Sequence, residues 1–209
     1  MTQPTLICDV DNTILNTRPR VRACLAAIGR PEVFERSPRT YGGFKEMLSS
    51  EEIERFFRIF LSNEYLHLDE PLPDAAQTLH GWLKRGTLIY LTGRHDAPGD
   101  SMRQGTLQWL KAHGYPEPNE KIKLLMKPAR DQEDRAFKRE TLMRMKPFPP
   151  RSLGLGDLPY EGALYAAMGL KPILVSAVGL FTDEQLQGSH PFAVLAPSWK
   201  QVANCLQDL

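Results

Sequence analysis

The chain has 209 residues, 42% hydrophobic and 24% charged, which suits one globular domain with room for an insertion and excludes disordered, collagen-like and coiled-coil chains. Its 26 Lys and Arg against 25 Asp and Glu leave a formal net charge of +1, so bulk charge argues for neither a nucleic-acid nor a membrane partner. No apolar run reaches the roughly 18 residues of a membrane span, Met1-Thr-Gln-Pro-Thr has no basic leader pattern, and Cys8, Cys24 and Cys205 lack CxxC spacing, so the expectation is a reduced, cytoplasmic protein with neither disulfides nor a zinc site.

Thr5-Leu-Ile-Cys reads as a buried strand that stops at Asp9. The segment from about Asn16 to Leu72 is far longer than the dozen or so residues a crossover needs. It carries two helical stripes, Val21, Cys24, Leu25, Ile28 and Ile53, Phe56, Phe57, Phe60, Leu61, whose spacing predicts amphipathic helices with their own core. Charge is segregated within it: residues 16–45 hold Arg18, Arg20, Arg22, Arg30, Arg36, Arg39 and Lys45 against Glu32 and Glu35, whereas residues 46–70 are acidic. Pro73–Arg85 reads as a helix closed by Gly86, Thr87–Leu91 as a strand ending at Thr92-Gly-Arg, and Ser101–His113 as a helix closed by Gly114. Strands follow at Ile122–Met126, Ser152–Leu155, Pro172–Val175 and Ala193–Leu195, and helices at Asp134–Met145, Pro159–Met168 and Ser198–Leu206. This alternation predicts a three-layer, doubly wound α/β fold with a mainly parallel, Rossmann-like sheet. Residues 1–15 and 73–209 form its core, and residues 16–72 a small helical cap over the sheet's C-terminal edge.

Asp9-Val-Asp11-Asn-Thr13 follows the first strand directly. Two carboxylates there stand where open α/β sheets bind ligands; they suit Mg²⁺ with waters and phosphate oxygens, and a carboxylate can attack phosphorus. The alternative is a solvated Asx turn. The other strand ends add matching residues. Thr92, Gly93 and Arg94 offer a hydroxyl and free backbone N–H groups for a phosphoryl oxygen. Asp157 adds a third carboxylate, and Lys138 a charge that neutralises nucleophile and phosphate.

This order of DxDxT, Thr-Gly, Lys and a final acidic motif resembles the haloacid dehalogenase superfamily of phosphohydrolases, over the whole chain. The resemblance implies Asp9 as nucleophile, Asp11 as general acid and base, and Mg²⁺ held by Asp9, the Asp11 carbonyl and Asp157. It also implies Thr92 and Lys138 on the transferring phosphoryl group, and an Mg²⁺-dependent phosphatase acting on a small phosphorylated substrate. Two assignments stay open. Glu161 reaches the metal through water or is an ordinary first-turn acid, and Lys127 rivals Lys138. Arg130-Asp131-x-x-Asp134-x-x-Phe137-Lys138 is similar to a stretch in the phosphatase part of polynucleotide kinase–phosphatases, which implies 3′-phosphate removal at nucleic acid ends. A further alternative is a catalytically silent binding protein on the same fold.

Other residues carry less. Arg18, Arg20 and Arg22 either make substrate contacts from the cap or decorate the exposed side of a cap helix, and His95 beside Arg94 is either a substrate contact or a solvated loop residue. The ten bases within residues 121–151 stand against four acids, which suits a polyanion or a solvated helix face. His67, His80, His113 and His190 lack metal-ligand spacing.

Overall fold

The computed structural model describes residues 3–37, 43–189 and 193–207; Arg39 and His190 lie outside the described residues. Strand β1 (Thr5–Cys8) is buried at all four positions. After it come the short strand β2 (Leu15–Asn16), helices α1 (Arg18–Ala27), α2 (Pro31–Arg36) and α3 (Ser50–Phe60), and strand β3 (Glu70–Pro71). Strands and helices then alternate: α4 (Ala75–Trp82), β4 (Thr87–His95), α5 (Arg103–Ala112), β5 (Ile122–Lys127), α6 (Asp134–Met145) and β6 (Leu153–Gly156). The chain ends with α7 (Pro159–Ala167), β7 (Lys171–Val175), α8 (Asp183–Ser189), β8 (Val194–Ala196) and α9 (Trp199–Gln207).

Six strands form a parallel sheet in the order β5-β4-β1-β6-β7-β8. The alternation of side chains along β1 divides the core into two layers. Leu6 and Cys8 pack with Leu79 and Trp82 of α4, Trp109 of α5 and Trp199 of α9. Ile7 turns to the other face, with Phe137 and Leu142 of α6 and Leu164 and Tyr165 of α7. Chain order reverses at β1, which lies between β4 and β6, so the loops after these three strands meet at the switch point where such sheets bind ligands.

Between β2 and β3, which pair antiparallel, the helices α1, α2 and α3 build a third apolar cluster around Cys24, Leu25, Val33, Phe56 and Phe60. Both stripes read from the sequence are its core. A reciprocal cap starts α3: Ser49 Oγ accepts from Glu52 N, and Glu52 Oε2 accepts from Ser49 N at 2.7 Å. The oppositely charged halves meet at two ion pairs, with Arg30 bonded to Glu52 at 2.6 Å and Arg20 lying 2.9 Å from Asp69.

The structure departs from the sequence reading at four places. Strand β4 does not end before Thr92 but runs on to His95, with a register shift against β5. The β2–β3 pair and the helices α2 and α8 were not expected. Helix α8 has a signal in the sequence all the same: Gln185 N donates to Thr182 Oγ1 at 3.2 Å and Thr182 N to Gln185 Oε1 at 2.9 Å, a reciprocal cap.

Candidate active site

The loop after β1 is fixed by its backbone. Asp9 N donates to the Leu155 carbonyl at 2.9 Å, and the N–H groups of Thr13 and Ile14 donate to the Val10 carbonyl. Asn12 takes a left-handed φ of 59°, which asparagine tolerates better than most residues. Its Oδ1 accepts from Thr17 N at 3.1 Å and Thr17 Oγ1 at 2.8 Å. Val10 is buried between the two aspartates. Asp9 and Asp11 consequently meet different partners.

Asp9 enters a buried cluster with Lys138, Asp157 and Glu161. Lys138 Nζ lies 2.6 Å from Asp9 Oδ1 and 2.6 Å from Glu161 Oε1. Glu161 Oε2 accepts from Asp157 N and Leu158 N, each at 3.0 Å, and Tyr165 Oη donates to Oε1. Glycine at 156 makes room for this carboxylate: a Cβ there would collide with Glu161 Oε2. Carboxylate oxygens of Asp9, Asp157 and Glu161 all lie within 4.8 Å of one another. Burial pushes the Asp9 carboxyl up to about 7 against the pull of Lys138. Burial and then the charges of Glu161 and Asp9 push Asp157 well above its ordinary range. For Lys138 burial works against the charge, but Asp9 and Glu161 outweigh it and hold the ammonium protonated. Asp157 Oδ2 is buried without a hydrogen-bond partner.

Asp11 meets arginines instead. Arg94 grips it with Nε at 2.9 Å and Nη2 at 2.8 Å, and Arg20 Nη2 bonds the same carboxylate. Both guanidiniums continue to Asp69: Arg94 Nη2 lies 2.8 Å and Arg20 Nε 2.9 Å from its carboxylate. Arg94 Nη1 donates to Thr106. Burial raises the Asp11 pKa, yet Arg94 and Arg20 more than cancel this and hold the carboxyl well below the usual range. Burial lifts Asp69 to about 6 against the same two arginines.

A cavity of about 190 Å³ opens above these groups. Asp9, Asp11, Lys138, Asp157, Gly93, Arg94 and Lys127 line it, together with Phe57, Phe60 and Leu61 from the other side. The structure therefore brings the sequence-predicted residues to one place, with distinctions among them. Thr92 is fully buried, and its Oγ1 accepts from Arg94 N. A Cβ at Gly93 would meet the Asp134 carboxylate, which would have to shift. Lys127 lies 2.7 Å from Asp134 and donates to the Gln132 carbonyl at 3.0 Å, whereas Lys138 touches Asp9. His95 is buried, not solvated, and its Nε2 lies 2.9 Å from the Leu61 carbonyl. Arg130 donates to that carbonyl and pairs with Asp100.

Of the three arginines expected to reach substrate, only Arg20 lines the cavity. Arg18 and Arg22 lie over the Phe34 ring, and Arg22 pairs with Glu35. The roles of Arg20 and Asp69 around Asp11 escaped the sequence reading. No local motif marks them, and only the opposite charges of the two halves of the segment hinted that the halves meet.

No protein-family model matches the sequence, and no curated protein matches it. Solved structures do. One described as a predicted phosphatase from Clostridium acetobutylicum superposes with a TM-score of 0.69 over 100% of both chains at 13% identity. A haloacid dehalogenase-like family hydrolase from Streptococcus pneumoniae gives 0.67 over 97% of this chain and 98% of its own, at 12% identity. The fold is that of the haloacid dehalogenase-like hydrolases. CbbY from Rhodobacter sphaeroides, solved with phosphate, shares the haloacid dehalogenase-like fold at a TM-score of 0.62 and 14% identity, with 100% of both chains covered. Among the described residues, no helix is long and apolar enough to cross a membrane.

Proposed function

We propose that the chain is a magnesium-dependent phosphatase that hydrolyses phosphomonoesters through an aspartyl-phosphate on Asp9, with α1, α2 and α3 as its cap. A fold hosts many activities, so the site must carry the reading. The observation that carries it is the buried set of Asp9, Asp157 and Glu161 around Lys138 at the switch point of the sheet. A neighbour of the same fold was solved with phosphate.

The residues fit a hard divalent cation. Three buried carboxylates stand against one ammonium, and Asp157 Oδ2 is buried without a partner, an arrangement that a cation relieves. Asp9, the Asp11 carbonyl and Asp157 would hold Mg²⁺. Glu161 already serves four N–H and O–H donors, and so steadies Lys138 and the turn at Asp157. When bound, the metal neutralises phosphoryl oxygens and lets an anionic nucleophile approach an anionic ester.

Asp9 attacks phosphorus in line. The ester P–O bond breaks, and its electron pair leaves with the alcohol oxygen, which takes a proton from Asp11. Water then returns a proton to Asp11 while its oxygen attacks phosphorus, breaking the bond to Asp9 and releasing phosphate. Lys138 stabilises the charge that collects on the phosphoryl group. Arg94 and Arg20 hold Asp11 ionised and weaken it as a base, so both halves of the cycle require this grip to loosen: Asp11 must first take up from solvent the proton that it gives to the leaving alcohol, and must then accept one from water. A phosphate-release assay tests the reading. Asp9→Asn keeps the side-chain shape and lowers turnover by roughly a thousandfold or more, and a chelator does the same to the unaltered protein. Substantial turnover by folded Asp9→Asn rules the mechanism out.

A further inference from the structure

The cavity over Asp9 has two unlike sides. On the sheet side stand the charged groups described above. On the opposite side stand Phe57, Phe60 and Leu61, spaced i, i+3 and i+4 along the end of α3 and so presented on one face. The polar groups next to this face are already engaged. The Leu61 carbonyl faces His95 Nε2 at 2.9 Å and accepts from Arg130 Nη2 at 3.1 Å. The Phe60 carbonyl accepts from Arg20 Nη1, whose remaining nitrogens meet Asp11 and Asp69. The Arg20 guanidinium also lies over the Phe60 ring, 4.1 Å from its centroid. Among the described residues, α3 offers the cavity no free donor or acceptor.

A polyol or sugar leaving group would lose water at such a wall and find no hydrogen bond there in return, a cost that disfavours it by roughly tenfold to a hundredfold. Size sets a second limit. About 190 Å³ is below the roughly 300 Å³ at which pockets for drug-sized ligands begin, and the phosphoryl group takes part of that volume, so the room left beside it suits a leaving group no larger than about one ring. Building on the phosphatase reading above, we infer that the site takes the phosphate monoester of a compact apolar alcohol, up to about one ring in size. Phe57, Phe60 and Leu61 are its specificity-determining face.

The test compares benzyl phosphate with glycerol 3-phosphate, both of which release a primary alcohol from phosphorus, so that the intrinsic ease of departure is similar. Acetyl phosphate, whose small leaving group asks nothing of the α3 face, is the third substrate, and all three are assayed with Mg²⁺ by phosphate release. The expected result is a kcat/KM for benzyl phosphate at least about tenfold above that for glycerol phosphate. In Phe57→Ala and Phe57→Ser this ratio falls at least about fivefold, chiefly through the KM for benzyl phosphate. Turnover of acetyl phosphate with equal or reversed preference between the two esters overturns the apolar-substrate inference and leaves the phosphatase reading standing. So does a preference that both Phe57 variants retain. Phosphate release from none of the three overturns the phosphatase reading and this inference with it. The preference of the unaltered protein decides the matter even if both variants fail to fold.

Discussion

Lys138 is an ammonium between two carboxylates in a place with almost no solvent: it is 2% exposed, and Glu161 is fully buried. Removing one member of such a group costs more than the contact itself, because the partners stay behind as buried, unpaired charge. Lys138→Met should therefore destabilise the protein by about 3 kcal/mol in denaturant titrations, and it should abolish phosphate release from every ester, since in the proposed mechanism the residue acts on the phosphoryl group and not on the leaving group. A subtler probe is Gly156→Ala. Its Cβ would meet the Glu161 carboxylate, which then has to swing away from Lys138 and from the Asp157 and Leu158 amides. Activity should fall at least about tenfold in kcat with KM little changed, because the lysine is misplaced rather than lost. Activity equal to the parent would mean that the position of Glu161 does not control Lys138.

At the scale of elements, the four-residue network of Arg20, Asp69, Arg94 and Asp11 ties α1 and the residue before β3 to the loop after β1 and to β4. The chain enters and leaves the helical segment through β2 and β3, only two residues each, and the buried ion pairs fix it together with Leu66 in the main core and the hydrogen bonds of Trp109 to the Asp69 carbonyl and of Arg130 to the Leu61 carbonyl. Arg20→Met should leave Asp11 and Asp69 sharing one guanidinium, and hydrogen exchange should quicken in α1 and the β2–β3 pair while β1, β6 and β7 stay protected. Uniform loss of protection across the sheet would show that the network stabilises the whole molecule and not this junction. The same elements mark where the sequence was legible. Apolar runs exposed β1, β5, β6 and β7, since a buried parallel strand needs continuous hydrophobicity. The end of β4 was hidden because Thr92, Arg94 and His95 are polar, yet all are buried against partners far away in sequence or within the strand: Thr92 against Arg94 N, Arg94 against Asp11, Asp69 and Thr106, and His95 against the Leu61 carbonyl. The Asp9, Asp11, Asp157 and Lys138 set was legible because each residue stands at a strand end or helix start near its motif. Arg20 and Asp69 were not, because they meet only once the two ends of a long segment are brought side by side.

For the whole molecule, the buried acids set a pH dependence with a definite sign. Asp9 has its carboxyl raised from 3.8 to about 7 and Asp69 from 3.8 to about 6, and Asp157 moves the same way. In the metal-free protein these groups keep protons at pH values where the unfolded chain has lost them. Their contribution to stability is thus complete below about pH 4 and disappears as pH rises through about 6 to 7, by up to about 1.4 kcal/mol per pH unit for each group. Asp11 shifts the other way, so its contribution is present above about pH 4 and is constant over the same window. Thermal unfolding in chelator should accordingly show a Tm that falls between pH 5.5 and pH 8. Excess Mg²⁺ binds the ionised carboxylates and adds stability in proportion to its occupancy, so its effect on Tm should be largest at pH 8 and slight at pH 5.5. Asp157→Asn removes one of the crowded charges. It should unfold at a higher temperature than the parent in chelator at pH 8, and should lose most of the response to Mg²⁺. A metal-free Tm that rises with pH, or an Asp157→Asn protein that still responds fully to Mg²⁺, would show that the buried carboxylates are not the group the cation stabilises.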